Sequence, residues 1–258
     1  GSHLQDLGFD EEAVRFFGQV DVARISDERT HEKLAKMFVR RGQRERANVH
    51  YEAMIRSPSS RRGPTRFRAY IRDLLLHRDA RRAREINRLL LEASPRDREA
   101  LRANVKIALL VEDEQGRRAA IEALIGATPK NLRGNVWRNL GELLKAEGLF
   151  SEALEAHWKA MVASPRKNEL SRDIKSLSEL CAETRDEACW RRLEQIPGAL
   201  TRARWSAGLK TLVDSLNEHG RFEQAYGLLG RELKNRDTKS GALLHEAFVA
   251  AAWHGDLD

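Results

Sequence analysis

Hydrophobic and small residues recur every three or four positions between Trp137 and Pro165, with charged residues between them. This spacing places the apolar positions on one face of a helix and the charged positions on the other. Gly148 interrupts the pattern near its middle, and Pro165 ends it because proline lacks the N–H that a continuing helix needs. The stretch therefore predicts two short helices joined at Gly148. The residues that mark this helix pair are Trp137, Leu140, Gly141, Gly148, Ala153, Ala160 and Pro165.

Prolines divide the rest of the chain into stretches of similar length. Intervals of 37, 34, 36 and 32 residues separate five of them, Pro58, Pro95, Pro129, Pro165 and Pro197. A helix pair fits between each consecutive pair of prolines, and no alternating strand pattern competes with it. The predicted complete units are 29–58, 64–95, 98–129, 134–165, 168–197 and 205–237, with partial units at 4–24 and 240–258. In the third unit, the turn around residues 112–116 is expected to be longer than the other turns.

The order of bulky, small and helix-stopping residues from Trp137 to Pro165 resembles the tetratricopeptide repeat, a helix-turn-helix unit of about 34 residues. One such unit cannot bury its own apolar face, so neighbouring units stack on it. The resemblance implies an all-α fold, a right-handed α-solenoid of about six complete units that forms a single domain over residues 4–258. It also implies that the first helix of each pair lines a concave surface. An ordinary helical bundle is the alternative, although it does not need small residues at a regular interval.

Both ends of the chain resemble incomplete repeats. Residues 8–14 resemble a turn and second helix whose first helix is missing, and residues 243–253 resemble a first helix. Residues 1–3 look like the remnant of a cleaved affinity tag and are left out of the fold. A solenoid usually ends in a polar capping helix, because an uncapped end exposes its stacking face. The sequence therefore predicts a fragment of a longer protein.

Charge is distributed unevenly along the chain, whose formal net charge is +7. The segment from Arg40 to Arg102 contains eighteen arginines, no lysine and eight acidic residues. A basic segment of this kind is typical of a protein that binds an anionic partner. The alternative interpretation is that these arginines cover solvated helix faces and bind nothing.

Basic residues also fall at equivalent positions of successive first helices. Residues four apart share a helix face, and the planar guanidinium of arginine suits carboxylate and phosphate groups. The sequence therefore predicts a basic stripe on the concave surface, unless acids on neighbouring helices neutralise it. Its candidate binding residues are Arg68, Arg72, Arg102, Lys106, Arg138, Arg172 and Lys175.

The sequence contains no recognisable catalytic or metal-binding motif. It has no nucleophile elbow, phosphate-binding glycine loop, dinucleotide fingerprint or zinc-binding histidine pair. We therefore expect no enzymatic activity, cofactor or metal in this segment. Cys181 and Cys189 are eight residues apart without a CxxC pattern, which predicts reduced thiols and a cytoplasmic protein. The longest apolar runs are far shorter than the roughly 18 residues that a membrane span needs.

Three functions remain open on these grounds. The first is a non-catalytic scaffold whose concave surface docks an acidic protein or peptide, with self-association as an additional interaction. The second is an accessory domain of a larger bacterial enzyme, such as a transferase that acts on a surface polysaccharide, because the chain is predicted to be a fragment. The third is a helical-repeat protein that binds nucleic acid or a polyanionic glycan, because of the basic segment.

Overall fold

The computed structural model describes residues 25, 27–56, 64–163 and 167–235. Within these ranges the chain is helical and contains no β-strand, which confirms the predicted all-α class. None of the described helices is both long and apolar enough to cross a membrane. The thirteen α-helices of these ranges are α1 (Glu28–Arg40), α2 (Arg44–Arg56), α3 (Pro64–Leu76), α4 (Ala80–Ala93), α5 (Arg98–Leu110), α6 (Glu114–Gly126), α7 (Arg133–Ala146), α8 (Phe150–Ala163), α9 (Lys167–Thr184), α10 (Glu187–Leu193), α11 (Ile196–Ala199), α12 (Arg202–Glu218) and α13 (Phe222–Asn235).

The chain divides into two compact units, residues 1–127 and residues 128–258. In the first unit each described helix contacts the helix that follows it, and α3 also contacts α5. Apolar residues three or four apart face the interior of this unit, as expected for amphipathic helices. Its buried core includes Leu34, Phe38, Tyr51, Tyr70, Leu74, Leu90 and Ile107.

The second unit is built in a similar way but is less regular. Helices α7, α8, α9 and α10 contact one another in sequence, and α12 contacts α9, α11 and α13. The long helix α9 therefore lies between the hairpin of α7 and α8 on one side and α12 on the other. The buried core of this unit includes Met161, Leu170, Ile174, Leu177, Trp190, Leu212 and Leu216.

The region of the predicted fifth unit is not a simple pair of helices. The helix α9 is 18 residues long, and it is followed by two short helices, α10 and α11. Pro197 was expected to end a helix, but it lies in the first turn of α11. A missing N–H costs no helical hydrogen bond at that position, so the same residue can begin a helix instead of ending one.

Cys181 and Cys189 form a disulfide that joins the end of α9 to α10. The prediction of two reduced thiols was therefore wrong. The turn between the two helices brings the Cα atoms of the two cysteines to 5.3 Å from each other, which is a normal separation for a disulfide. A spacing of eight residues does not show this proximity, because it depends on the reversal of the chain after α9.

Small residues allow α7 and α8 to approach each other closely, as the sequence predicted. A Cβ atom on Gly141 would lie 2.5 Å from ring atoms of His157, which is fully buried on α8. The ring of Trp137 is partly exposed, and Lys159 Nζ lies 4.7 Å from its centre. Pro165 lies outside the described residues, as do Pro58 and the predicted partial units at both ends. The buried members of the predicted set are Leu140, Gly141, Ala153 and Ala160.

One turn geometry joins the two helices of five described hairpins. A residue with positive φ follows the first helix by two positions, and the next backbone N–H donates to the carbonyl oxygen five residues earlier at 2.8–2.9 Å. This is the hydrogen bond of a Schellman motif. Intervals of 36, 34, 36 and 72 residues separate these turns, which is compatible with a helical repeat. The number of repeats and the hand of a solenoid stay predictions. The positive-φ residues are Gly42, Arg78, Glu112, Gly148 and Gly220.

The turn between α5 and α6 has the same length as the other four turns. Three residues separate Leu110 from Glu114, as three residues separate Leu76 from Ala80. The expectation of a longer turn in the third unit was wrong. Glu112 occupies the position that holds glycine in three of the other turns, so the sequence lacks the usual mark of the turn.

Arg78→Gly is expected to raise the free energy of unfolding of the first unit by about 1 kcal/mol. Arg78 has a φ of 60°, and a left-handed backbone costs a residue with a side chain roughly 1–2 kcal/mol. The greater freedom of glycine in the unfolded chain offsets part of this gain. Urea unfolding followed by far-UV circular dichroism measures the change. Arg81→Gly, on the exposed part of α4, is the control and should destabilise by about 1 kcal/mol. Two changes of the same sign would contradict strain at Arg78.

Candidate interaction surface

The seven predicted binding residues belong to four helices. Arg68 and Arg72 lie on α3, and Arg102 and Lys106 lie on α5, so these four belong to the first unit. The contact between α3 and α5 places the two pairs side by side. In the second unit, Arg138 lies on α7, and Arg172 and Lys175 lie on α9. Burial and ion pairing separate these seven residues into different groups.

Arg68 is engaged within the first unit. Its Nη2 atom lies 2.5 Å from Oδ2 of Asp97, whose side chain is almost completely buried. The other oxygen of Asp97 accepts hydrogen bonds from the backbone N–H groups of Glu99 and Ala100 and so caps α5. Burial opposes ionisation of this carboxyl, but the hydrogen bonds from Arg68 and the backbone outweigh it and hold the pKa of Asp97 below its usual range. One carboxylate therefore starts α5 and joins it to α3.

Arg138 lies in the interior of the second unit. Its Nε and Nη2 atoms donate to the two carboxylate oxygens of Asp173 at 2.6 and 2.9 Å, and its Nη1 atom donates to Asn135. The side chains of Arg138 and Asp173 are 9% and 0% exposed. Donation of these hydrogen bonds to the Asp173 carboxylate raises the pKa of Arg138. The sequence placed Arg138 on an open surface, but this fork-like pair holds its guanidinium inside the fold.

The other predicted cations remain at the surface. Arg102 donates to Glu99 at 2.6 Å, in a pair whose side chains are both substantially exposed. The remaining four are exposed, and none of them forms an ion pair with another described residue. They are Arg72, Lys106, Arg172 and Lys175.

Equivalent positions of α3 and α5 are identified by the repeated turn. Arg72 precedes the positive-φ residue of its hairpin by six positions, and so does Lys106. Four residues after each cation there is a leucine, Leu76 on α3 and Leu110 on α5. Leu76 is 76% exposed and Leu110 is half-buried. Sequence reasoning missed these leucines, although their spacing of four from the cations places them on the same helix face.

A buried pair of histidines lies elsewhere in the first unit. Nδ1 of His31 and Nδ1 of His50 are 3.0 Å apart, and Nε2 of His31 is 3.0 Å from the carbonyl oxygen of Ile25. A carbonyl only accepts, so Nε2 of His31 carries the proton, and in the neutral ring Nδ1 accepts from His50. The ring of Phe38 stacks on His50. Burial, followed by the neighbouring His31, lowers the pKa of His50 to about 4.

The histidine pair should make the stability of the first unit depend on pH. Because the pKa of His50 is about 4 in the fold and about 6.5 in an unfolded chain, the fold favours the neutral ring. The contribution of neutral His50 to the free energy of unfolding is complete above about pH 6.5 and is lost as the pH falls towards 4. Urea midpoints measured across this window should fall less steeply for His50→Asn than for the wild type. Arg81→Asn, which introduces the same side chain at an exposed position of α4, is the control and should keep the wild-type slope. Equal slopes for all three proteins would contradict this role of His50.

No group of three or more histidine, cysteine, aspartate or glutamate side chains is placed to hold a metal ion among the residues that the structure describes. The chain matches no protein-family model and no curated protein. The resemblance to tetratricopeptide repeats therefore rests on its own residues and on the recurring helical hairpin. These features define a helical protein compatible with a repeat architecture, and the exposed cations are its candidate contact groups.

Proposed function

We propose that the protein is a non-catalytic interaction scaffold that docks an acidic segment of a partner protein on its first helices. The observation that carries this proposal is the environment of Arg72 and Lys106. Both side chains are exposed on helices that contact each other, and neither has an ion-pair partner among the described residues. Cations of this kind are available to a carboxylate from another molecule, whereas the guanidinium of Arg138 is already bound to Asp173. The concave shape that the repeat resemblance implies is part of the proposal.

Protein is favoured over nucleic acid as the partner because of where the aromatic residues lie. Proteins that bind single-stranded nucleic acid commonly stack bases on exposed aromatic side chains. The phenylalanine and tyrosine side chains that the structure describes in the first unit are all in its core. They are Phe38, Tyr51, Phe67 and Tyr70, each at most 8% exposed. The described part of this unit therefore offers cations without a stacking platform.

Photo-crosslinking in cells of the source organism tests the proposed scaffold. The full 258-residue chain would carry a photoreactive amino acid in place of Lys106, or in place of Arg81 as the control on another helix. We expect discrete protein adducts from position 106 that are absent or much weaker from position 81. Adducts with nucleic acid alone would favour the polyanion-binding function. The same protein adducts from both positions, or none from either, would contradict docking on the first helices.

A further inference from the structure

We propose that Arg72, Leu76, Lys106 and Leu110, here called the cation–leucine patch, recognise an acidic peptide segment that carries large apolar side chains beside its carboxylates. This inference rests on the proposed scaffold function and specifies the chemistry of its partner. It goes beyond a basic surface, because it assigns a role to the two leucines as well as to the two cations.

The two helices supply the same pair of groups at the same positions. On α3, Arg72 and Leu76 precede Arg78 by six and by two residues. On α5, Lys106 and Leu110 precede Glu112 by the same two intervals. Residues four apart lie on one face of a helix. The helices contact each other, and the ion pair between Arg68 and Asp97 joins α3 to the first turn of α5. The four groups therefore form two parallel cation-and-leucine pairs on neighbouring helices.

The charge of this patch is specific to Arg72 and Lys106. One helical turn earlier, Arg68 is paired with Asp97, and Arg102 is paired with Glu99. These two carboxylates neutralise the inner arginines, whereas the outer cations form no ion pair with another described residue. A complementary segment would bring carboxylates to two positions, one on each helix.

The leucines determine which acidic partner fits. Leu76 is the most exposed of the large hydrophobic residues in the described part of the chain, at 76%. Covering it with another apolar group removes its surface from water, which is favourable. A nucleic-acid backbone or a sulfated glycan offers negative charge without an aliphatic side chain. A peptide that combines glutamate or aspartate with leucine, isoleucine or phenylalanine meets both requirements.

A random-peptide library displayed on phage, selected against the immobilised full chain, tests this inference. Enriched peptides should combine acidic with large apolar residues. For a synthetic enriched peptide, the double variant Arg72→Glu/Lys106→Glu should weaken binding at least about tenfold, and Leu76→Ser should weaken it by about threefold. Two matched controls should leave the affinity within about twofold. These are Arg81→Glu/Arg96→Glu, which changes the charge by the same amount, and Val49→Ser, which alters another exposed apolar residue.

Several outcomes would overturn the inference. These are the absence of enriched peptides, enrichment without acidic residues, or equal binding to the charge-reversed chain. Equal binding of poly-glutamate or a single-stranded oligonucleotide, together with no effect of Leu76→Ser, would exclude the role of the leucines. None of these results removes the scaffold proposal, because the adducts formed at position 106 in cells test it separately.

Discussion

Asp173→Ala is expected to lower the free energy of unfolding of the second unit by about 3–5 kcal/mol. The carboxylate of Asp173 accepts two hydrogen bonds from Arg138, and both side chains are nearly excluded from water. Removal of the carboxylate takes the doubly hydrogen-bonded negative charge away from a buried guanidinium, so the desolvation of that guanidinium is no longer fully offset. All five tryptophans lie beyond residue 128, so tryptophan fluorescence during urea unfolding reports on this unit.

Two control variants separate the buried charge from a general loss of contacts. Arg138→Met/Asp173→Leu removes both charges and keeps apolar volume, so its stability should be close to that of the wild type. Glu183→Ala breaks the partly exposed ion pair with Lys145 in the same unit and should cost at most about 1 kcal/mol. A cost below about 1 kcal/mol for Asp173→Ala, or an equal cost for the double variant, would contradict the prediction. Either result would show that the Asp173 carboxylate does not offset the desolvation of the Arg138 guanidinium.

Gly141→Trp is expected to destabilise the second unit by about 3 kcal/mol or more, at the upper end of the range for overpacked cores. A Cβ atom alone at this position would lie 2.5 Å from two ring atoms of His157. That ring is fully buried, so it cannot move into solvent without opening the contact between α7 and α8. Urea unfolding followed by far-UV circular dichroism is the suitable measurement, because the added tryptophan would alter the fluorescence.

The same substitution at an open glycine provides the control. Gly227 is exposed on α13, and a Cβ atom there would have no neighbour within 4 Å. Gly227→Trp should therefore change the free energy of unfolding by less than about 1 kcal/mol, and glycine's poor helix propensity favours a small gain. Similar losses at both positions would mean that the close approach at Gly141 does not limit the size of the residue.

The helical hairpins were predictable because their determinants are local. Gly42, Gly148 and Gly220 mark turns in the sequence, since glycine adopts a left-handed backbone without steric cost. Arg78 and Glu112 hold the same conformation with a side chain present. The surrounding hydrogen bonds impose that geometry on them, and their residue types give no sign of it. The sequence therefore identified the helix pairs more readily than the exact form of each turn.

The candidate surface was less predictable because it depends on distant partners. Arg72 and Arg138 look alike in the sequence, as each is an arginine on the first helix of a predicted unit. They differ because Asp173, 35 residues after Arg138, meets it when α7 and α9 pack together. No equivalent acid reaches Arg72 among the described residues. The exposure of a cation is set by this tertiary pairing, which helix periodicity cannot reveal.

The disulfide also changes what a break in the backbone would do. Arg185 lies between Cys181 and Cys189, in an exposed corner where its φ is 52°. A protease that cuts after arginine and reaches this corner would leave two fragments that the sulfur atoms still hold together. If the disulfide is reduced, the same cut divides the chain between α9 and α10. The redox state of the surroundings thus decides whether a nick at Arg185 leaves the chain covalently continuous.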